Sequence, residues 1–193
     1  MITQTRKHEL DLLHIRACVA GDDYYVDLDD HDFRELMEDF EITEESAEPG
    51  CRALFAAHCR QREVGFTPFQ EEVRGEFAGI TSPEELHYLA KDYNFDDGFW
   101  VLEQIINNPF CDIRTARMLF WLSEPEYIAT RFGHPAHAPG DGITEDHARF
   151  LTQLDAKAHR GEFLHDLPAE FESPEIDTTA GQLWGIAADL QHS

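Results

Sequence analysis

SPEELHYLAKDYNFDDGFWVLEQIINNPFCDIRTARMLFWL, residues 82–122, decides the fold. Ser82-Pro83-Glu84-Glu85 offers a cap, a proline at the first helical position and two carboxylates in the first turn, the signature of a helix start. Leu86, Leu89, Ala90 and Tyr93 then recur on one helical face, and Phe99, Leu102, Ile105 and Ile106 repeat the pattern after a short break. Asn108-Pro109 ends that second helix. Asp112 is placed to cap a third, with Ile113, Ala116, Leu119 and Phe120 turned inward. Three short helices joined by a few residues each pack as antiparallel neighbours.

The first break, KDYNFDDGFW at 91–100, also fits a calcium frame. Asp92, Asn94 and Asp96 fall at positions one, three and five of a twelve-residue loop, and Glu103 falls at twelve. Such a loop turns sharply on a glycine at position six. Here that position is Asp97, and Gly98 follows one residue late. The simpler reading is a corner, with Asp96 or Asp97 capping a helix that begins near Gly98 and Asn94 ending the one before. No metal or other cofactor is expected. Asp92, Asn94, Asp96 and Glu103 are the alternative ligand set.

Working outward, Leu10, Leu13 and Ala17 predict a first helix stopped by Gly21. Tyr24-Tyr25-Val26 is a short strand or an extended entry. Phe33, Leu36, Met37 and Phe40 form one apolar stripe, behind the capping aspartates Asp29, Asp30 and Asp32. Pro49-Gly50 is expected to break the chain. Cys51, Leu54, Phe55, His58 and Cys59 form the next stripe, and Thr67-Pro68 opens a helix carrying Phe69, Val73 and Phe77. On the other side, GHPAHAPGDG at 133–142 predicts a loop and a subdomain boundary. Phe150, Leu151, Leu154 and Ala158 mark a helix ended by Gly161, and Leu183, Trp184, Ala187 and Leu190 mark a last one.

These patterns predict an all-α fold, a bundle-like domain with short connections and at most a minor strand. Its expected organisation is a helical domain over 1–132 containing the three-helix module 82–124, a Pro/Gly loop over 133–143, and a C-terminal helical extension over 144–193 packed on the first part.

The composition is acidic: 39 Asp and Glu against 15 Lys and Arg, a formal net charge of −24. Such a field repels phosphate backbones and anionic lipid, so neither nucleic acid nor a membrane is an expected partner. No stretch approaches the roughly 20 apolar residues of a membrane span, and MITQTRKHELDLL carries no secretory signal pattern. The four widely spaced cysteines, Cys18, Cys51, Cys59 and Cys111, are expected as buried free thiols, which points to the cytoplasm. His134, His137 and His147 lack a partner pair for zinc. Cys111, beside Asp112, sits where a helix N-terminus would favour a thiolate, but the sequence supplies no catalytic constellation around it, and His87 would have to reach it through the fold.

The acidity is clustered. Residues 22–48 hold 13 carboxylates and one basic residue, Arg34, whereas 49–80 balance at four each. Glu35, Glu38 and Asp39 lie off the apolar stripe. With Asp29, Asp30, Asp32, Glu41, Glu44 and Glu45 they are the expected partner-binding carboxylates, and the nine carboxylates of 145–177 are a second possibility. Crowding like charges costs self-repulsion, which a basic partner relieves.

Residues 86–122 also resemble a bacterial family, domain of unknown function 4274. The likeness rests on the Leu-His-x-Leu-Ala start, Tyr93-Asn94-x-Asp96-Asp97-Gly98-Phe99, Asn108-Pro109-x-Cys111-Asp112, and Thr115-Ala116 leading to Phe120-Trp121. The resemblance implies a helical module in a small cytoplasmic protein and carries no catalytic residues with it. By analogy of composition, the chain is expected to be a non-enzymatic immunity protein (antitoxin) that binds a cognate basic toxin, a nuclease-type effector. The alternatives are a calcium-binding or other metal-binding regulator or a small enzyme using the 92–103 loop, and a general helical interaction module.

Overall fold

The computed structural model describes residues 1–140, 142–168, 171 and 183–191. Among them the fold is all-α: ten α-helices, two single 3-10 turns and no strand. Tyr24-Tyr25-Val26 forms a turn. One isolated parallel bridge, Asp112 to Leu164, is the nearest thing to a sheet.

The chain divides into two units, Met1–Gly79 and Ile80–Ser193. The division does not fall at 133–143, where the sequence suggested a boundary. That segment lies inside the second unit, where a 3-10 turn, Pro135–His137, carries the chain into α9 (Gly142–His159), which packs on α7 (Ile113–Leu122).

In the N-terminal unit α1 (Gln4–Gly21) packs on α3 (Pro49–Val64) and α4 (Phe66–Ala78). Leu10, Leu13 and Ala17 of α1 meet Phe69, Val73 and Phe77 of α4 in a buried core. Pro49-Gly50 does not break the chain as expected. Pro49 opens α3, where its missing N–H costs nothing. Gly65, at φ +91°, ends α3 and starts α4 in a single residue, so the second helix begins at Phe66 rather than at Thr67-Pro68. α3 buries only part of the expected apolar stripe: His58 is buried together with Ala57 and Gln61, and Cys59 is exposed. The expectation of four buried thiols is corrected accordingly. Cys111 is buried, while Cys18 and Cys51 are half-buried.

α2 (Asp30–Asp39) buries Phe33 and Met37, but Phe40 at its end is 57% exposed. A Schellman turn closes this helix: the Ile42 N–H bonds Met37 O at 2.8 Å and the Glu41 N–H bonds Glu38 O at 2.9 Å. Glu41 holds the left-handed position at φ +56°, where glycine is the unstrained residue. Glu41→Gly is expected to stabilise the protein by about 1 kcal/mol, read as a higher urea midpoint at unchanged slope.

In the C-terminal unit α5 (Pro83–Lys91) packs on α6 (Trp100–Asn107) and α7, the three-helix module read from the sequence. α8 (Pro125–Phe132) was not anticipated, although Pro125 at its first position is a start signal. The last helix is short, α10 (Ala188–Gln191). Trp184 and Ala187 stand outside it because Asp155 of α9 takes the Ala187 N–H (2.8 Å) and the Trp184 indole N–H (3.1 Å).

Asp112 ties the C-terminal unit together. Its carboxylate is 0% exposed. One oxygen accepts from Arg114 N at 2.9 Å and caps α7, and the other accepts from Asp166 N at 2.6 Å and Leu167 N at 2.9 Å. Ile113 N donates to Leu164 O, and Leu164 N to Cys111 O, so residues 164–167 lie along the start of α7.

Candidate partner-binding surface

α2 owes its placement to two polar residues of α3. The Arg62 guanidinium, its side chain only 15% exposed, donates to Tyr25 O at 2.6 Å, Leu28 O at 2.7 Å and the Asp30 carboxylate at 3.0 Å. It also lies over the Phe33 ring, 4.5 Å from the centroid. Gln61, fully buried, donates to Val19 O and Asp22 O at 2.7 and 2.8 Å. Together they satisfy carbonyls of the last turn of α1 and of the irregular segment 22–28 that water would otherwise have to reach. Asp29 caps α2, accepting from His31 N at 2.8 Å and Asp32 N at 2.9 Å, and the Asp32 and His31 amides hold its carboxyl below the usual range.

His58 sits beneath this segment, 5% exposed, its ring 4.5 Å from that of Tyr25 and 6.5 Å from that of Phe33. Burial lowers its pKa to about 4, against a small opposing pull from Asp22. Its Nδ1 has no hydrogen-bond partner, and neither has Oε1 of Gln61 one turn on.

The nine expected partner-binding carboxylates, Asp29, Asp30, Asp32, Glu35, Glu38, Asp39, Glu41, Glu44 and Glu45, are all exposed. They belong to one short helix, its cap and the turn that follows. Asp30 is held by Arg62, and Glu35 lies 3.7 Å from His31. Glu38, Asp39, Glu41, Glu44 and Glu45 make no ion pair with a described residue. Four of the nine (Asp30, Glu38, Glu44 and Glu45) also line a cleft of about 920 Å³ between α2, the following turn and α3, floored by Phe33, Met37 and Phe55. His31, Asp32 and Glu35 bring their ligand atoms within 4.8 Å of one another, but all three stand in solvent on the outer face of α2.

The second acidic segment differs. Asp155 is committed to Trp184 and Ala187, Asp146 to Arg149 at 2.5 Å, and Glu162 to Arg160 and Lys157. Glu170, Glu172, Glu175 and Asp177 lie outside the described residues.

The calcium frame is not assembled. Asn94 does not end α5. Its side chain accepts from Asp96 N and starts a 3-10 turn, Phe95–Asp97, and Gly98 at φ +81° makes the reversal. The capping role given to Asp96 or Asp97 is also corrected, because Phe99 precedes α6 with no side-chain cap. Glu103 points to Arg149 at 3.2 Å. Asp92, Asp96 and Glu103 do not gather their oxygens as His31, Asp32 and Glu35 do.

The thiol of Cys111 is pushed well up by burial, the reverse of the activation expected at a helix N-terminus. His87 does not meet it. Its Nδ1 lies 3.0 Å from the hydroxyl of Thr115, and burial lowers its pKa. His134 caps the turn at 135–137, and His147 bonds Ser123 O and stacks on Phe99.

Arg62 and Gln61 are the residues that sequence reasoning missed, and His58 was read only as part of an apolar stripe. The hydrogen-bond partners of Arg62 and Gln61 lie more than 30 positions away along the chain, and nothing local announces them.

No helix among the described residues is long and apolar enough to cross a membrane. No curated protein and no solved structure matches the chain. Residues 81–155, the segment from α5 into α9, match the family described as Domain of unknown function (DUF4274).

Proposed function

We propose that the protein is a non-enzymatic immunity protein of the cytoplasm, whose acidic N-terminal surface binds and neutralises a basic toxin, a nuclease-type effector. The observation that carries this reading is the surface of α2 and its turn: nine exposed carboxylates, of which only Asp30 and Glu35 are ion-paired among the described residues. A cationic groove built for nucleic acid is complementary to such a surface, and the charges speed encounter before packing fixes the complex. Phe40 and Tyr24, both exposed, supply aromatic anchors beside the carboxylates, the residue type on which binding energy concentrates. The step from a basic partner to a toxin rests on analogy of composition.

The test is co-purification with the product of the neighbouring gene, followed by titration at low and high salt. A basic partner is expected, bound at least about tenfold more weakly at high salt. Glu38→Lys, Glu44→Lys and Glu45→Lys combined should weaken binding at least about tenfold. Asp92→Lys, Asp96→Lys and Glu126→Lys combined, an equal change of net charge in the other unit, should not. Binding that ignores salt, or that both triple variants reduce alike, overturns the reading.

A further inference from the structure

Resting on that reading, we propose that the cleft between α2 and α3 is where the partner inserts a cationic, amphipathic segment, one apolar side chain entering and Lys or Arg flanking it. The floor is apolar: Phe33 and Met37 from α2 and Phe55 from α3, with Phe33 and Phe55 stacked at 6.1 Å. Among the lining carboxylates, Glu38, Glu44 and Glu45 make no ion pair with a described residue, whereas Asp30 is held by Arg62 and Glu63 by Arg60; the two lining guanidinium groups are Arg34 and Arg62. Arg62 is spent on the 25–30 segment and on Phe33, so it offers little to a ligand.

The volume, about 920 Å³, accommodates several side chains. Charge complementarity selects the occupant. A second copy of this chain, at −24, would be repelled, and so would nucleic acid or anionic lipid. An apolar floor inside a carboxylate rim is the complement of a basic amphipathic segment, with floor contacts for affinity and rim contacts for register. Exposed carboxylates alone would accept any polycation. The cleft adds a demand for an apolar residue at the centre.

Cys59 supplies the readout, because it is exposed and lines the cleft. Two synthetic helical peptides of equal length and charge are compared, one of Lys and Leu, the other of Lys and Ser. Binding is followed by fluorescence anisotropy of the labelled peptides, and alkylation of Cys59 by peptide mass. The Lys–Leu peptide is expected to bind at least about tenfold tighter and to slow alkylation of Cys59 but not of Cys51. Cys59→Phe, which narrows the cleft from its exposed wall, should erase the preference. Equal binding of both peptides with Cys59 unprotected overturns the cleft and leaves the acidic surface standing. Binding by neither peptide overturns both. A preference that survives Cys59→Phe overturns the cleft alone.

Discussion

Asp112→Ala is expected to destabilise the C-terminal unit by about 4 kcal/mol, the sum of three lost hydrogen bonds at roughly 1–1.5 kcal/mol each. The side chain is buried, so Arg114 N, Asp166 N and Leu167 N together lose the acceptor that joins them, and the bond to Leu167 N is itself buried. A buried N–H without a partner carries its full desolvation cost, which keeps the sum near its upper end. Asp112→Asn should recover only part of this. Its single carbonyl oxygen can serve either the α7 cap or the 166–167 amides, while its NH2 faces a donor on the other side. Urea unfolding followed by tryptophan fluorescence reports on this unit, because Trp100, Trp121 and Trp184 all belong to it. A loss below about 1 kcal/mol for the alanine variant would show that water reaches these amides.

Acidification has the second large effect, and it acts on the other unit. His58 is neutral in the folded protein, with a pKa near 4, against about 6.5 once the chain unfolds. Below pH 6.5 the unfolded chain takes up a proton that the folded one excludes. Stability therefore falls with pH, by about 1.4 kcal/mol per unit between 6.5 and 4, and then levels off. The total is about 3 kcal/mol. The ring is wedged by Tyr25 and Phe33, and the pull of the Asp22 carboxylate does not offset its burial. His58→Leu should remove this component. Other carboxyl groups titrate in the same range, so the quantity to compare is the difference between wild type and variant, measured by urea unfolding with circular dichroism at several pH values. A difference that stays constant from pH 7 to 4 would show that the imidazole is hydrated in the native state.

The parts of the fold that sequence revealed are those specified locally. The three helices over 83–122 carry their apolar period within each segment, and the structure follows it, together with the start signals at Ser82-Pro83 and Asp112 and the stop at Asn108-Pro109. The exposure of the carboxylates of α2 was equally legible, because Phe33 and Met37 fix the face that turns inward. Misreadings arose where a distant group overrides a local pattern. Leu183, Trp184, Ala187 and Leu190 have helical spacing, but Asp155 captures the Ala187 N–H needed for a helical turn. On α3 the apolar stripe captured only part of the buried face, which keeps His58, adds Ala57 and Gln61, and leaves Cys59 outside. The cleft could not be read at all. It arises from Arg62 pulling α2 against α3, a contact that joins residues separated by a break in pattern and by a proline.

The carboxylate of Asp112 reaches past the end of the family match. Asp112 falls within residues 81–155, but Asp166 and Leu167, which it holds, fall beyond them. A polypeptide trimmed at position 155 would keep every helix of the matched region up to α9 and yet strip the cover from the beginning of α7. The shortest autonomous fragment must therefore run at least to Pro168, whose carbonyl receives Arg114. Where a family match ends in the text of a chain, cooperative folding need not end with it.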